Sequence, residues 1–266
     1  MEKIAWGSAG NAWVEAQALL DGMYAPFEAM LAEGVAHGEQ VLDVGCGTGA
    51  TTLAAAKRAG ESGGALGVDI SEPMIAAARE RAGSGARFLL ADAQAHAFEA
   101  GRFDRLISRF GVMFFDDAVA AFANLRRAMA PEGRLHAIVW RRGEDNPFMT
   151  EAERAAGPLL PGLPARDPDA PQGQFGFGDP GRVRTILAAS GWREATLDPL
   201  DVACSFPAEA LPFYHARLGP VGRALEDVVP ELRERVVSAV LPAFDRYVEG
   251  DTVRFTAACW AIRARA

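Results

Sequence analysis

The chain has 266 residues, 50% of them hydrophobic and 23% charged, with a formal net charge of −8 and a pI of about 5.1. Such a chain buries a core without a disulfide framework or structural metal, as one large domain or a domain with a smaller lid, and its acidity makes nucleic acid a poor partner. Cys46, Cys204 and Cys259 are far apart and form no CxxC pair, and the sequence offers no basic-then-apolar leader and no apolar run of membrane-spanning length; a reducing, cytoplasmic setting without metal or membrane is expected.

Residues 1–37 read as one or two helices forming an N-terminal cover. VLDVG (41–45) is a short apolar strand closed by glycine. TTLAAAKRAG follows as a helix with Gly60 at its C-terminus. ALGVDIS (65–71) is the second strand, with Ser71 placed to cap the next helix and Pro73 in its first turn. ARFLLADA (86–93) and FDRLISRF (103–110) are the third and fourth strands. A helix over 116–133, capped by Asp116 and Asp117 and closed by Pro131 and Gly133, leads to the strand RLHAIVW (134–140). Residues 141–178 are rich in Pro and Gly and read as irregular, with one short helix over 149–156. Asp179 and Pro180 open a helix over 179–192. Residues 194–206 and 253–266 are two further strands, and 207–249 is helical.

Alternating strands and helices predict an α/β, doubly wound, mostly parallel sheet. Its core comprises 38–140, 179–206 and 251–266. The segments 141–178 and 207–250 are expected to form a helical lid and to supply acceptor-binding insertions. Ligands of such sheets bind at the carboxyl ends of the strands, where the order reverses.

The turn after the first strand, Gly45-Cys46-Gly47-Thr48-Gly49, lets a ligand approach the backbone. Its GxGxG spacing departs from the GxGxxG of dinucleotide folds, and no Lys-Ser or Lys-Thr follows to make a P-loop. Asp69 closes the second strand twenty residues after Gly49, where an acid can accept from both hydroxyls of a ribose; it could also serve as a turn aspartate, although Ser71 suits that role. Asp92 closes the third strand, where its carboxylate and the backbone of Ala93 could read an adenine amine. Three carboxylates, Asp43, Asp69 and Asp92, on one sheet edge repel a pyrophosphate and attract a cationic, amine-bearing nucleoside.

These motifs together resemble the class I S-adenosylmethionine-dependent methyltransferases: VLDVGCGTG matches that family's first motif, GVDIS its second, ADAQ its third and LRRAMAPEGRL the stretch before its fifth strand. The resemblance runs over about 38–140 and returns more weakly at 179–200 and 253–266. It implies a Rossmann-like sheet of seven strands, the last antiparallel, with S-adenosyl-L-methionine as cofactor and S-adenosyl-L-homocysteine as product. It also implies roles. Gly45, Cys46, Gly47 and Gly49 face the methionine part, with Asp43 beneath its amino group. Asp69 holds the ribose hydroxyls and Ile70 packs on the adenine beside Met74. Asp92, Ala93 and Gln94 read the adenine amine, and Ser108 and Arg109 run past the methionine end. The N-terminal helices cover the cofactor, with Trp6, Asn11 and Trp13 as candidate contacts. More broadly the chain is similar to the bacterial small-molecule branch that includes quinone-ring methyltransferases.

Methyl transfer from a sulfonium is an in-line displacement, and a base is needed only when the nucleophile must lose a proton. Among four histidines, His215 in LPFYHARL, beside Tyr214, is the candidate base, with a packed helix residue as the plainer reading. Arg109, Phe110, Met113, Trp140, Asn146, Phe148, Tyr214 and His215 are the candidate acceptor residues. They suit a small, flat, largely apolar acceptor, aromatic or quinone-like, methylated on O, N or C by a monomer or homodimer. The chain lacks an NPPY or DPPY motif after the fourth strand and a nucleophilic cysteine placed for cytosine chemistry. The alternatives are an enzyme of the same fold using the adenosylmethionine site for another reaction, and a catalytically silent nucleoside-binding subunit.

Overall fold

The apolar runs after residue 40 are too short for helices and too uniformly apolar for half-exposed strands, and they line up as buried parallel strands. The computed structural model describes residues 6–167 and 170–266, with side chains from residue 9 onward; the side chain of Trp6 lies outside the described ones. The strands are β1 (Gln40–Val44), β2 (Gly64–Asp69), β3 (Ala86–Leu90), β4 (Phe103–Arg109), β5 (Met129–Trp140), β6 (Arg193–Pro207), β7 (Val248–Glu249) and β8 (Thr252–Arg265). They form one sheet in the order β3-β2-β1-β4-β5-β8-β6, with β7 paired to β8. β1 to β5 pair in parallel, and β8 runs antiparallel to both β5 and β6. The expected mostly parallel Rossmann-like sheet with an antiparallel last strand is present. The count is eight rather than seven, because two-residue β7 is too short to carry a readable alternation.

The helices are α1 (Trp6–Glu15), α2 (Gln17–Glu33), α3 (Ala50–Ala59), α4 (Glu72–Glu80), α5 (Ala118–Ala128), α6 (Pro147–Ala156), α7 (Pro180–Ala189), α8 (Leu211–Arg217), α9 (Gly219–Ala224) and α10 (Pro230–Val240). From β1 the chain steps outward to β2 and β3, then returns to β4 and steps the other way to β5. Right-handed crossovers therefore place α3 and α4 on one face and α5 on the other, and the order reverses between β1 and β4. The helix expected to reach residue 133 stops at Ala128. Met129 pairs with Phe103, and a register shift absorbs Pro131 to Gly133, with Glu132 at φ 64°. Strand pairing wins there over the helical periodicity.

β6 and β8 outgrow the rest of the sheet. The last residue of β5, Trp140, pairs with Cys259, yet β8 begins at Thr252, and Asp201–Pro207 of β6 accompany it. A two-stranded ribbon thus projects past the carboxyl ends of the parallel strands and carries α8, α9 and α10. α6 packs on α10 and docks on the ribbon through Phe148, stacked 4.0 Å from Phe255. The segments 141–178 and 207–250 therefore meet one another above the sheet edge. Arg217 of α8 reaches back to Glu15 at the end of α1 with paired hydrogen bonds of 2.7 and 2.8 Å, joining this helical layer to the N-terminal helices.

Candidate cofactor and acceptor site

The turn between β1 and α3 is held from three sides. Gly45 and Cys46 donate their N–H groups to Val68 O of β2, at 2.8 and 3.1 Å. Gly47 N–H donates to Asp69 Oδ2 at 2.9 Å. Arg81, from the end of α4, donates to Thr48 O at 2.9 Å and pairs with Asp21 of α2 at 2.7 Å. Gly45, Gly47 and Gly49 have φ of 70°, 54° and 92°, a region that side chains make costly.

Asp43 is fully buried. Its Oδ2 accepts from the hydroxyls of Thr51 and Thr52 at 2.5 and 2.7 Å, and its Oδ1 has no partner. Burial pushes its carboxyl up to about 6, against the opposing pull of the two threonines and the Arg109 guanidinium. Asp69 is also raised by burial, although the N–H groups of Ser71 and Gly47 partly offset the shift. Asp69 Oδ1 takes the Ser71 N–H at 2.9 Å, and Ser71 makes no side-chain cap bond. The turn role that the sequence suggested for Ser71 thus belongs to Asp69. Next to it Ile70 is 47% exposed, an uncovered apolar face on the sheet edge.

The third strand ends at Leu90 rather than reaching residue 93, so Asp92 and Ala93 lie in the turn beyond β3, where the Asp92 carboxylate accepts from Gln94 N–H at 2.9 Å and Ala93 O accepts from Asn124. Gln94 Oε1 in turn holds the Asp117 N–H at the start of α5. Ser108 donates to Val44 O at 2.7 Å and accepts from Gly111 N–H at 3.1 Å, tying the ends of β1 and β4 together. Met74 is buried against the turn at Gly47. Trp13 is partly buried against the core and Asn11 is exposed. The Cys46 thiol is buried and raised by burial and by Asp43, which leaves it inert as a nucleophile. The parallel order brings Asp43, Asp69, Asp92 and Arg109 to one edge.

The acceptor candidates divide. Phe110, at φ 63°, stacks on Trp140 (4.5 Å, 13° between planes) and meets Tyr24 and Phe27 of α2 edge-on. Arg109 lies 5.5 Å over the Tyr24 ring. Along the ribbon Phe148, Phe206, Tyr214, Phe244 and Phe255 pack on one another as a second aromatic cluster. Met113 is buried in the core, where its carbonyl accepts from Gly173. Asn146 is spent on backbone: Nδ2 donates to Arg142 O and Ala258 O, and Oδ1 accepts from Ala258 N. Asn146→Ala should therefore cost about 1–3 kcal/mol, because the Ala258 N–H loses its acceptor while Ala258 O keeps the Arg141 N–H, read as a lowered melting temperature. His215 is buried inside the helical layer, 4.1 Å from Phe244, with Nε2 unpartnered; burial pushes its pKa down to about 4.

Tyr24, Asp21, Arg81, Thr51 and Thr52 complete this edge and were not singled out from the sequence. The two threonines had a signal, since they follow the glycine turn in the first helical residues beneath Asp43. The α2 residues had none.

Among the described residues no cluster of His, Cys, Asp and Glu could hold a metal ion, and no helix is long and apolar enough to cross a membrane. The methyltransferase-domain family matches residues 41–133. Nocamycin O-methyltransferase of Saccharothrix syringae is 34% identical over 194 residues, covering 65% of this chain and 66% of its own. The chain belongs to the class I S-adenosylmethionine-dependent methyltransferases. Aklanonic acid methyltransferase of Streptomyces sp. (strain C5) is 37% identical over 102 residues, 37% of this chain and 46% of that protein. The chain thus spans about two thirds or less of the curated relatives it matches. The YcgJ structure from Bacillus subtilis shares the fold, with a TM-score of 0.57 at 16% identity over 91% of this chain and 98% of that one.

S-adenosylmethionine is the cofactor of this family, and the edge has the chemistry to receive it. The unpartnered buried Asp43 Oδ1 calls for a donor, which an ammonium supplies. The uncovered Ile70 offers a face to a flat base, and Asp69 retains acceptor capacity beyond its two backbone donors.

Proposed function

We propose that the protein transfers a methyl group from S-adenosylmethionine to a small, largely apolar acceptor with an aromatic or quinone-like body, by in-line displacement. The observation that carries this reading is the pairing of an unsatisfied buried carboxylate at the glycine turn with an aromatic wall beside it. In this reading Asp43 holds the cofactor's ammonium, Asp69 its ribose hydroxyls, Ile70 and Met74 its adenine, and Asp92 with Ala93 the adenine amine. Phe110, Trp140 and Tyr24, with the ribbon aromatics, hold the acceptor flat. The helical layer from 141–178 and 207–250 acts with α1 and α2 as a cover that excludes water, its two parts joined by Arg217 and Glu15.

The sulfonium supplies a methyl that already carries a good leaving group. The chain's own contribution is then alignment and desolvation. No side-chain base is required. An imidazole with a pKa near 4, as at His215, is neutral at pH 7 and a weak proton acceptor. The names of two relatives, one an O-methyltransferase and one acting on an acid, favour oxygen as the methylated atom.

Calorimetric titration with S-adenosylmethionine, S-adenosylhomocysteine and NAD tests the reading. Selective binding of the two adenosyl compounds is expected, followed by one equivalent of S-adenosylhomocysteine per methylated product with an aromatic or quinone-like acceptor. Binding of neither adenosyl compound, or binding of NAD alone, would overturn it.

A further inference from the structure

Two arginines on β4 present a contrast. Arg105 is buried and fully answered: Glu39 accepts from its Nε and Nη2 at 2.7 and 3.0 Å. Arg109, four residues on and at the carboxyl edge, has no ion pair among the described residues, and its Nη1 is buried without a hydrogen-bond partner. Asp43, Asp21 and Glu28 act on it by charge without pairing with it, and Asp43 Oδ2 is committed to Thr51 and Thr52. The residue as a whole is half-buried, but this Nη1 is shut away from water and gains from an acceptor placed against it. Beneath it lies the Tyr24 ring, and beside it the Phe110–Trp140 stack. A ligand that satisfies these surroundings brings a flat apolar body with a negatively charged oxygen at its rim.

We infer that Arg109 receives an ionised oxygen of the methyl acceptor, a carboxylate, enolate or phenolate, so that the acceptor class is an oxygen acid. This rests on the methyltransferase reading above and narrows it. The step balances without a base. A lone pair of the ionised oxygen forms the O–C bond to the methyl as the C–S bond breaks, and that electron pair stays on sulfur. One anion and one sulfonium become a neutral ester or ether and a thioether, and no proton moves. Arg109 holds the acceptor in its ionised form.

The test uses the full chain saturated with S-adenosylhomocysteine and titrated calorimetrically with 2-naphthoate and with its methyl ester. The wild-type protein is expected to favour the acid about tenfold or more, as a charge-assisted pair requires. Arg109→Met and Arg109→Gln should erase that preference, read at S-adenosylhomocysteine saturation set from each variant's own affinity, and Arg109→Lys should keep part of it. Circular dichroism checks folding, and the Gln variant carries the test if the Met variant does not fold. Equal binding of acid and ester by the wild type overturns the inference. So does a loss of S-adenosylhomocysteine affinity in Arg109→Met with 5′-methylthioadenosine affinity unchanged, which would assign the guanidinium to the cofactor's own carboxylate. Failure of the wild type to bind S-adenosylhomocysteine at all is read in the first titration and sinks the methyltransferase reading itself.

Discussion

Asp43→Asn is expected to weaken S-adenosylhomocysteine binding by about 1.5–3 kcal/mol at pH 8, roughly ten- to 150-fold, and to flatten a pH dependence that the wild type shows near pH 6. The cause is the burial of a carboxylate with one oxygen open. In the empty protein burial lifts its pKa from 3.8 to about 6. Between those values the folded state holds more protons than the unfolded chain. Raising the pH through this window therefore costs the empty protein stability, on the order of 3 kcal/mol once complete. A ligand ammonium placed on Oδ1 reverses the shift, because an opposite charge favours the ionised form. Binding at pH 5–6 must then expel a proton, and affinity should fall by up to about tenfold per unit below pH 6. At pH 8 no proton is released. Calorimetry in two buffers of different ionisation enthalpy counts the proton directly. An unchanged affinity in the Asn variant, with a flat wild-type profile, would place Asp43 away from the ligand.

The parts of this edge that were legible in the sequence share a cause. Asp43, Asp69 and the three glycines lie within one strand–turn–helix unit or one crossover of it, so spacing along the chain translates into position at the sheet edge. Parallel order then delivers Asp69 beside the turn, where its carboxylate takes the Gly47 N–H. The acceptor side has no such local rule. Tyr24 reaches the Phe110–Trp140 stack only because α2 crosses the sheet there, and Phe148 meets Phe255 across more than a hundred residues. Nor does composition distinguish an asparagine that faces a ligand from one that satisfies a strand. Asn146 follows β5 as a binding residue would, and both ends of its amide are engaged by Ala258. The ribbon that raises α8–α10 over the edge follows from seven extra residue pairs between β6 and β8, Asp201–Pro207 against Thr252–Ala258. Two strand-like segments in a sequence do not announce their relative register.

Gly45→Ala and Gly111→Ala should each lower the melting temperature by about 10 °C and reduce S-adenosylhomocysteine affinity further in whatever fraction folds, for a cost of roughly 2–4 kcal/mol each. At Gly45 an added Cβ would lie 2.5 Å from the Gly111 Cα. At Gly111 it would strike Val44 O and come within 2.7 Å of the Gly45 Cα. Both obstacles are backbone, so no rotamer change relieves them. The turn after β1 and the turn after β4 must separate, and Ser108, which bridges Val44 O and Gly111 N–H, must lose one of its two bonds. Phe110, held at φ 63° between these turns, already carries strain that the packing of Tyr24, Phe27 and Trp140 sustains. Moving Gly111 releases that constraint on Phe110 and with it turns Arg109, the residue before Phe110, away from the edge. Gly101 provides the internal control. It has φ 70°, the same as Gly45, but open space where a Cβ would go. Gly101→Ala should therefore cost only the dihedral term, about 1 kcal/mol, and leave cofactor affinity unchanged. If thermal melting finds Gly45→Ala no worse than Gly101→Ala, the two turns are not pressed together as described, and the coupling between the cofactor turn and Arg109 falls with them.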